Sequence, residues 1–109
     1  LSFDCNGETL LIVAAGDCRI DNAKYKQQFQ CKAKMLTTTE VLFRTGHAVG
    51  GVCPFAVPDD VKVCLDVSLK RFQTVYPACG SANSAIELTP DALEKYVDGA
   101  FWADVCKLK

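Results

Sequence analysis
The sequence predicts an α+β domain in which a mixed, largely antiparallel sheet is flanked by short helices, and three observations carry that expectation. Strand-like apolar runs alternate along the chain with capped helical stretches. No internal repeat and no low-complexity linker interrupts them. The 109 residues, 50% of them apolar, suit one domain with one modest core.

Leu10 to Ala15 is a short apolar run stopped by Gly16-Asp17, the pattern of a buried strand and its turn. Asp21 to Phe29 reads as a short helix with Lys24 and Lys26 on an exposed side. Thr37-Thr38-Thr39-Glu40 is a capping box, in which Thr37 accepts from the backbone of Glu40 while the Glu40 carboxylate reaches back. The helix it starts covers about Thr38 to Arg44 and is closed by Gly46. Val61, Val63 and Leu65 then alternate with Lys62, Cys64 and Asp66, which predicts a half-buried strand. Gln73 to Ala78 and Ser84 to Leu88 predict two more strands around the small-residue turn Cys79-Gly80-Ser81-Ala82-Asn83. Thr89-Pro90-Asp91 caps and opens a helix that turns Leu93, Tyr96 and Val97 inward. A last strand, Trp102 to Cys106, closes the sheet.

Charge and cysteine usage narrow the function classes. Twelve Lys and Arg against 13 Asp and Glu leave a net charge of -1, without the basic stripe of a free-standing nucleic-acid binder. The pairs Lys24 with Lys26, Lys32 with Lys34, and Lys70 with Arg71 read as solvated faces. The longest apolar run falls well short of the roughly 20 residues that span a bilayer, and no signal-peptide layout opens the chain, so no membrane partner is expected. The seven cysteines are odd in number, widely separated and form no C-x-x-C, and His47 is the one imidazole. Zinc sites draw on closely spaced ligand pairs, so no metal and no cofactor is expected. The cysteines read as reduced thiols of a cytoplasmic protein, with Cys64 a small buried apolar residue.

One stretch resists a core-and-surface account. "GHAVGGVCPFAVP", residues 46 to 58, sets Gly46, Gly50 and Gly51 beside Pro54 and Pro58 and inserts His47 and Cys53 among them. Tandem glycines let backbone amides approach a ligand, and a following proline stiffens the arrangement. Such a loop can hold a carbonyl or carboxylate oxygen, although Gly-Gly before Pro also makes an ordinary turn. Neither a Walker motif nor a dinucleotide fingerprint is present.

"TGHAVGGVCPFAV", followed by "KVCLDVSLKRFQTVYPACGSANSAIELTPDALEKY", resembles the YbaK/ProX family of aminoacyl-tRNA editing domains, related to the insertion domain of bacterial prolyl-tRNA synthetase. The resemblance runs through residues 1–109 in order, strongest at Thr45 to Phe55 and Gly80 to Leu88. It implies the family fold, a single editing domain, and deacylation of mischarged tRNA, Cys-tRNA(Pro) or Ala-tRNA(Pro). The family pattern G-x-x-x-P maps onto Gly50 to Pro54. The resemblance assigns Gly50 and Gly51 to polarising the ester carbonyl and stabilising its oxyanion. Val52 and Cys53 line the pocket, Pro54 fixes its shape, and His47 is a pocket-wall or loop-packing residue. Asn83 and Ser84 border the pocket or form a polar turn before a strand.

A Cys53–His47 nucleophile is disfavoured, because the family replaces both residues freely and no third residue orients His47. The resemblance also implies a lysine in a K-[ST]-L stretch. Here the chain opens on Leu1-Ser2-Phe3, past that point by the resemblance, and Lys24, Lys26 and Lys32 do not match it. The N-terminal part of the domain is therefore expected to be missing. Two functions stay open: an editing hydrolase, and a non-catalytic aminoacyl or amino-acid binding module that keeps the pocket without the lysine. The expected partner is the aminoacyl-tRNA 3′ end, with tRNA affinity supplied by prolyl-tRNA synthetase or an elongation factor.

Overall fold
A computed structural model describes residues 1–46, 54–55, 57–58, 60–77, 87–97 and 99–109. Strand β1 (Ser2–Cys5) turns through Asn6 and Gly7, both at positive φ, into β2 (Glu8–Val13). Strand β3 (Cys18–Ile20) leads into helix α1 (Asn22–Phe29), and α2 (Thr38–Thr45) follows. Strand β4 (Val61–Asp66) runs into a 3-10 helix (Val67–Arg71), then come α3 (Pro90–Tyr96), β5 (Phe101–Ala103) and β6 (Cys106–Leu108).

The sheet is mixed. Its four strands lie in the order β1-β2-β4-β5, with β1 antiparallel to β2, and β2–β4 and β4–β5 parallel. Strands β3 and β6 form a separate antiparallel pair. The period-two pleat of β2 and β4 sends residues to two cores. Leu11, Val61, Val63 and Leu65 pack with Leu69, Val75, Leu93 and Val97 on one side. Leu10, Ile12 and Cys64 pack with Phe3, Tyr25, Val105 and Cys106 on the other. Tyr25 is fully buried between the rings of Phe3, at 5.3 Å, and Phe29, at 4.9 Å.

The helix starts follow from their caps. Asp21 accepts from the backbone of Ala23 and Lys24 at the head of α1. Thr37 and Glu40 complete the expected capping box, at 3.2 and 3.1 Å, and Gly46 ends α2 in the left-handed region. Thr89 accepts from Ala92 N ahead of Pro90.

Five expectations need correction. Strand β4 is buried along both faces except at Lys62, because it is a central parallel strand with a core on either side. Residues 73–77 form no strand, only an isolated bridge from Val75 to Leu88, and Pro77 has no N–H to extend it. The rest of the predicted Ser84–Leu88 pairing, and the turn before it, lie outside the described residues. On α3, Leu93 and Val97 are buried but Tyr96 is 62% exposed, since a helix of seven residues turns only a narrow stripe inward. The predicted Trp102–Cys106 strand is broken into β5 and β6, because Val105 N–H is taken by the Asp66 carboxylate instead of a strand partner. Finally, Cys5 and Cys31 form a disulfide, so the thiols are not all reduced; Cys18, Cys64 and Cys106 are free.

Strand β1, absent from the sequence expectations, has a neighbour of its own. Met35 bridges Phe3, Asp4 N donates to Lys34 O at 2.9 Å, and Leu36 N donates to Ser2 O at 3.0 Å. The chain between α1 and α2 thus runs along the sheet edge, tied to it by the disulfide.

Candidate active site
A cavity of about 610 Å³ opens where that edge segment, β2 and the start of α2 converge. Strand β2 contributes Leu11, Ile12 and Val13, whose apolar run makes a buried floor. Met35 and Leu36 form one side because their backbone is held against β1. Thr38 and Val41 come from the first turn and the inner face of α2, which its capping box fixes in place. The arrangement is further anchored by Arg44, which reaches Asp4 at 2.9 Å and Glu40 at 3.7 Å. Pro54 and Tyr76-Pro77 complete the described wall.

The electrostatics of the cavity are plain. Its described side chains carry no charge, and only Ser2, Thr38 and Tyr76 bring a hydroxyl. Leu1 also lines it, with its amino group donating to Ile12 O at 3.0 Å and held below its ordinary pKa by burial; the other titratable groups with displaced pKa lie elsewhere. Burial pushes the Cys64 and Cys106 thiols up to about 12 each, which keeps them protonated. Burial also raises the Tyr25 hydroxyl, which has no hydrogen-bond partner among the described residues. Among the described residues no group of three or more His, Cys, Asp or Glu is placed to hold a metal ion, and no helix is long and apolar enough to cross a membrane.

Of the residues singled out from the sequence, Pro54 is placed on the cavity wall. His47, Gly50, Gly51, Val52, Cys53, Asn83 and Ser84 lie outside the described residues. Lys24, Lys26 and Lys32, which do not match the family lysine, are absent from the described wall as well. Sequence reasoning missed Met35, Leu36, Val41 and Tyr76. Only Tyr76-Pro77 carried a signal, as an aromatic beside a strand-breaking proline; the others read as ordinary helix or connecting residues.

A small mixed α+β domain with a cavity lined by no charged side chain among the described residues defines the class of fold and site, and comparison with known proteins makes the class specific. The model of the aminoacyl-tRNA editing domain matches residues 1–96, and the chain belongs to that family. It is 60% identical over 108 residues to the uncharacterized protein YwhH of Bacillus subtilis (strain 168), covering 98% of this chain and 69% of YwhH. It is 31% identical over 74 residues to the proline–tRNA ligase of Lysinibacillus sphaericus (strain C3-41), covering 67% of this chain but 13% of the ligase. The crystal structure of a candidate trans-editing enzyme for prolyl tRNA synthetase superposes with a TM-score of 0.89 at 28% identity, covering 98% of this chain and 68% of that one.

Proposed function
We propose that this chain hydrolyses mischarged aminoacyl-tRNA in trans, with Cys-tRNA(Pro) as the preferred substrate. The observation that carries the proposal is the cavity of about 610 Å³, free of charged side chains among the described residues, with Pro54, the last residue of the G-x-x-x-P stretch, in its wall. A pocket of that size and polarity accepts a small amino-acid side chain. Its described side chains include no Asp, Glu, His, Cys, Lys or Arg. Catalysis on this proposal comes from position and backbone.

Gly50 and Gly51 present amide N–H groups to the ester carbonyl and stabilise the oxyanion. His47, Val52 and Cys53 wall the acyl group, Pro54 fixes the turn, and Asn83 and Ser84 border the opening. A cysteinyl substrate brings its own nucleophile. Its sulfur bonds to the carbonyl carbon, the bond from that carbon to the ribose oxygen breaks, and the thiol proton passes to the ribose oxygen. Water then opens the thiolactone to free cysteine. The reaction is intramolecular, so it needs only orientation and oxyanion stabilisation. With a net charge of -1, tRNA affinity on this proposal is supplied by a carrier, prolyl-tRNA synthetase first and an elongation factor second.

The test is deacylation of tRNA(Pro) carrying cysteine, alanine or 2-aminobutyrate, the last having nearly the shape of cysteine without its sulfur. Fast release of cysteine alone supports the proposal. Equal release of 2-aminobutyrate replaces substrate assistance by an activated water. Binding of all three esters without turnover establishes the non-catalytic module instead.

A further inference from the structure
A second cavity, of about 360 Å³, adjoins the first and shares Val13, Ala14, Tyr76 and Pro77 with it. Leu69 and Val75, both buried, form its base. Phe72 and Tyr76 stand at its rim, and they remain 42% and 64% exposed. A single exposed aromatic is ordinary on a protein surface. Two that face one apolar groove, joined to the cavity proposed for the acyl group, form a patch with a use.

The local chemistry holds this rim in place. The Arg71 guanidinium lies 5.0 Å from the Phe72 ring centroid, a cation–π contact. Arg71 is itself fixed by Asp17 at 2.6 Å and by donating from Nε to Ser68 O at 3.2 Å. That pairing holds the Asp17 carboxyl below its ordinary pKa. The Phe72 N–H donates to Leu69 O at 3.2 Å, which closes the 3-10 helix just before the rim. Thr74 and the Tyr76 hydroxyl are the polar side-chain groups of an otherwise apolar lining.

We infer that this groove is a nucleobase subsite, and that it receives the terminal adenine of the aminoacyl-tRNA 3′ end against Tyr76 and Phe72. The inference rests on the proposed function, because it takes its ligand from the covalent structure of that substrate. The acyl group is esterified to the ribose of the terminal nucleoside, so the base lies one sugar away from the carbonyl. With the acyl group in the first cavity, a base one sugar away falls at the groove that shares its wall. Tyr76, common to both cavities, stands where the ribose must pass. Base–aromatic stacking needs no hydrogen-bond code, which suits an apolar groove, and the larger purine face stacks over more of it than a pyrimidine does. Tyr76 and Phe72 act as positioning residues for the ester.

The experiment has two arms. In the first, NMR titration of the unmodified chain with the trinucleotides CCA and CCC is expected to shift the ring resonances of Tyr76 and Phe72 with CCA at several-fold lower concentration than with CCC. In the second, Phe72→Ala, which lies outside the acyl cavity, is expected to raise KM for cysteinyl-tRNA(Pro) at least about 10-fold with kcat nearly unchanged; Tyr76→Ala is expected to raise KM at least as much, and Tyr76→Trp to restore it, each variant checked for a folded spectrum. Absence of turnover in the unmodified chain overturns the hydrolase alone, and the CCA titration still decides the subsite. A titration that leaves both rings unmoved, or alanine variants with unchanged KM, overturns the subsite while the hydrolase stands.

Discussion

Asp66 holds Val105: the Asp66 carboxylate, 1% exposed at the end of β4, accepts the Val105 N–H at 2.9 Å through Oδ1. Its other oxygen, Oδ2, accepts from Ser68 N at 2.9 Å and caps the 3-10 helix. One side chain therefore joins the exit of the central strand, the helix leading to Phe72, and the break between β5 and β6. Asp66→Ala leaves two backbone donors without their partner. Hydrogen bonds to charged groups contribute about 1.5–3 kcal/mol each, so the variant should lose about 3 kcal/mol or more. Urea denaturation measures it, and a loss below about 1 kcal/mol contradicts the account.

The glycine stretch yields a prediction of activity. On the proposed oxyanion role, Gly51→Ala should lower deacylation about 100-fold with little change in the circular dichroism spectrum, because the added methyl would crowd the ester oxygen. Cys53→Ser should keep most of the activity if the thiol is only a wall group. Undiminished turnover in the glycine variant removes the oxyanion role, and complete loss in the serine variant restores Cys53 as a nucleophile.

Alkaline stability is the third expectation. The Cys64 and Cys106 thiols ionise near 9 in an ordinary setting and are pushed up to about 12 in the fold, by burial first and for both by the nearby Asp66 second. Between those values the unfolded chain has released protons that the folded chain still holds. Their stabilisation is therefore complete below about pH 9 and is lost as pH rises towards 12, at up to about 1.4 kcal/mol per pH unit for each thiol. Unfolding free energies from pH 8 to 11 should fall, and the fall should shrink in Cys64→Ala. An identical slope in that variant assigns the effect to other groups.

How much of this was legible in sequence depends on which interactions set each element. The α1, α2 and α3 starts were readable because their caps are local: Asp21, Thr37 with Glu40, and Thr89 each satisfy N–H groups two or three residues on. The β5–β6 break was not, since it depends on Asp66, 39 positions from Val105. The burial of both faces of β4 was hidden for the same reason, being decided by its two neighbours in the sheet. At the site, Pro54 was marked by its glycines, whereas Met35 and Leu36 enter the cavity through backbone pairing with β1 that no pattern in residues 34–36 announces.

The disulfide gives a fourth prediction. Cys5 and Cys31, 26 positions apart, tie the edge segment carrying Met35 and Leu36 to β1. Closing a loop of that size is worth about 2–4 kcal/mol. In oxidising buffer Cys5→Ser should be less stable than the unmodified chain by about that amount, and reductant should abolish the difference. A difference that survives reduction shows that the serine itself, and not the lost bridge, is responsible.

The parallel register of β2 on β4, from Thr9 opposite Val61 to Val13 opposite Leu65, also governs when the cavity comes into being. The β1–β2 hairpin can pair as soon as it is synthesised, but β2 must then wait for a strand that emerges only after α1 and α2. Such long loop closure is the slow kind of folding step. The cavity needs Tyr76 and Pro77 as well, which come later still. A nascent chain halted before them carries the floor of the pocket without its far wall, so the proposed activity would begin only once the chain is nearly complete.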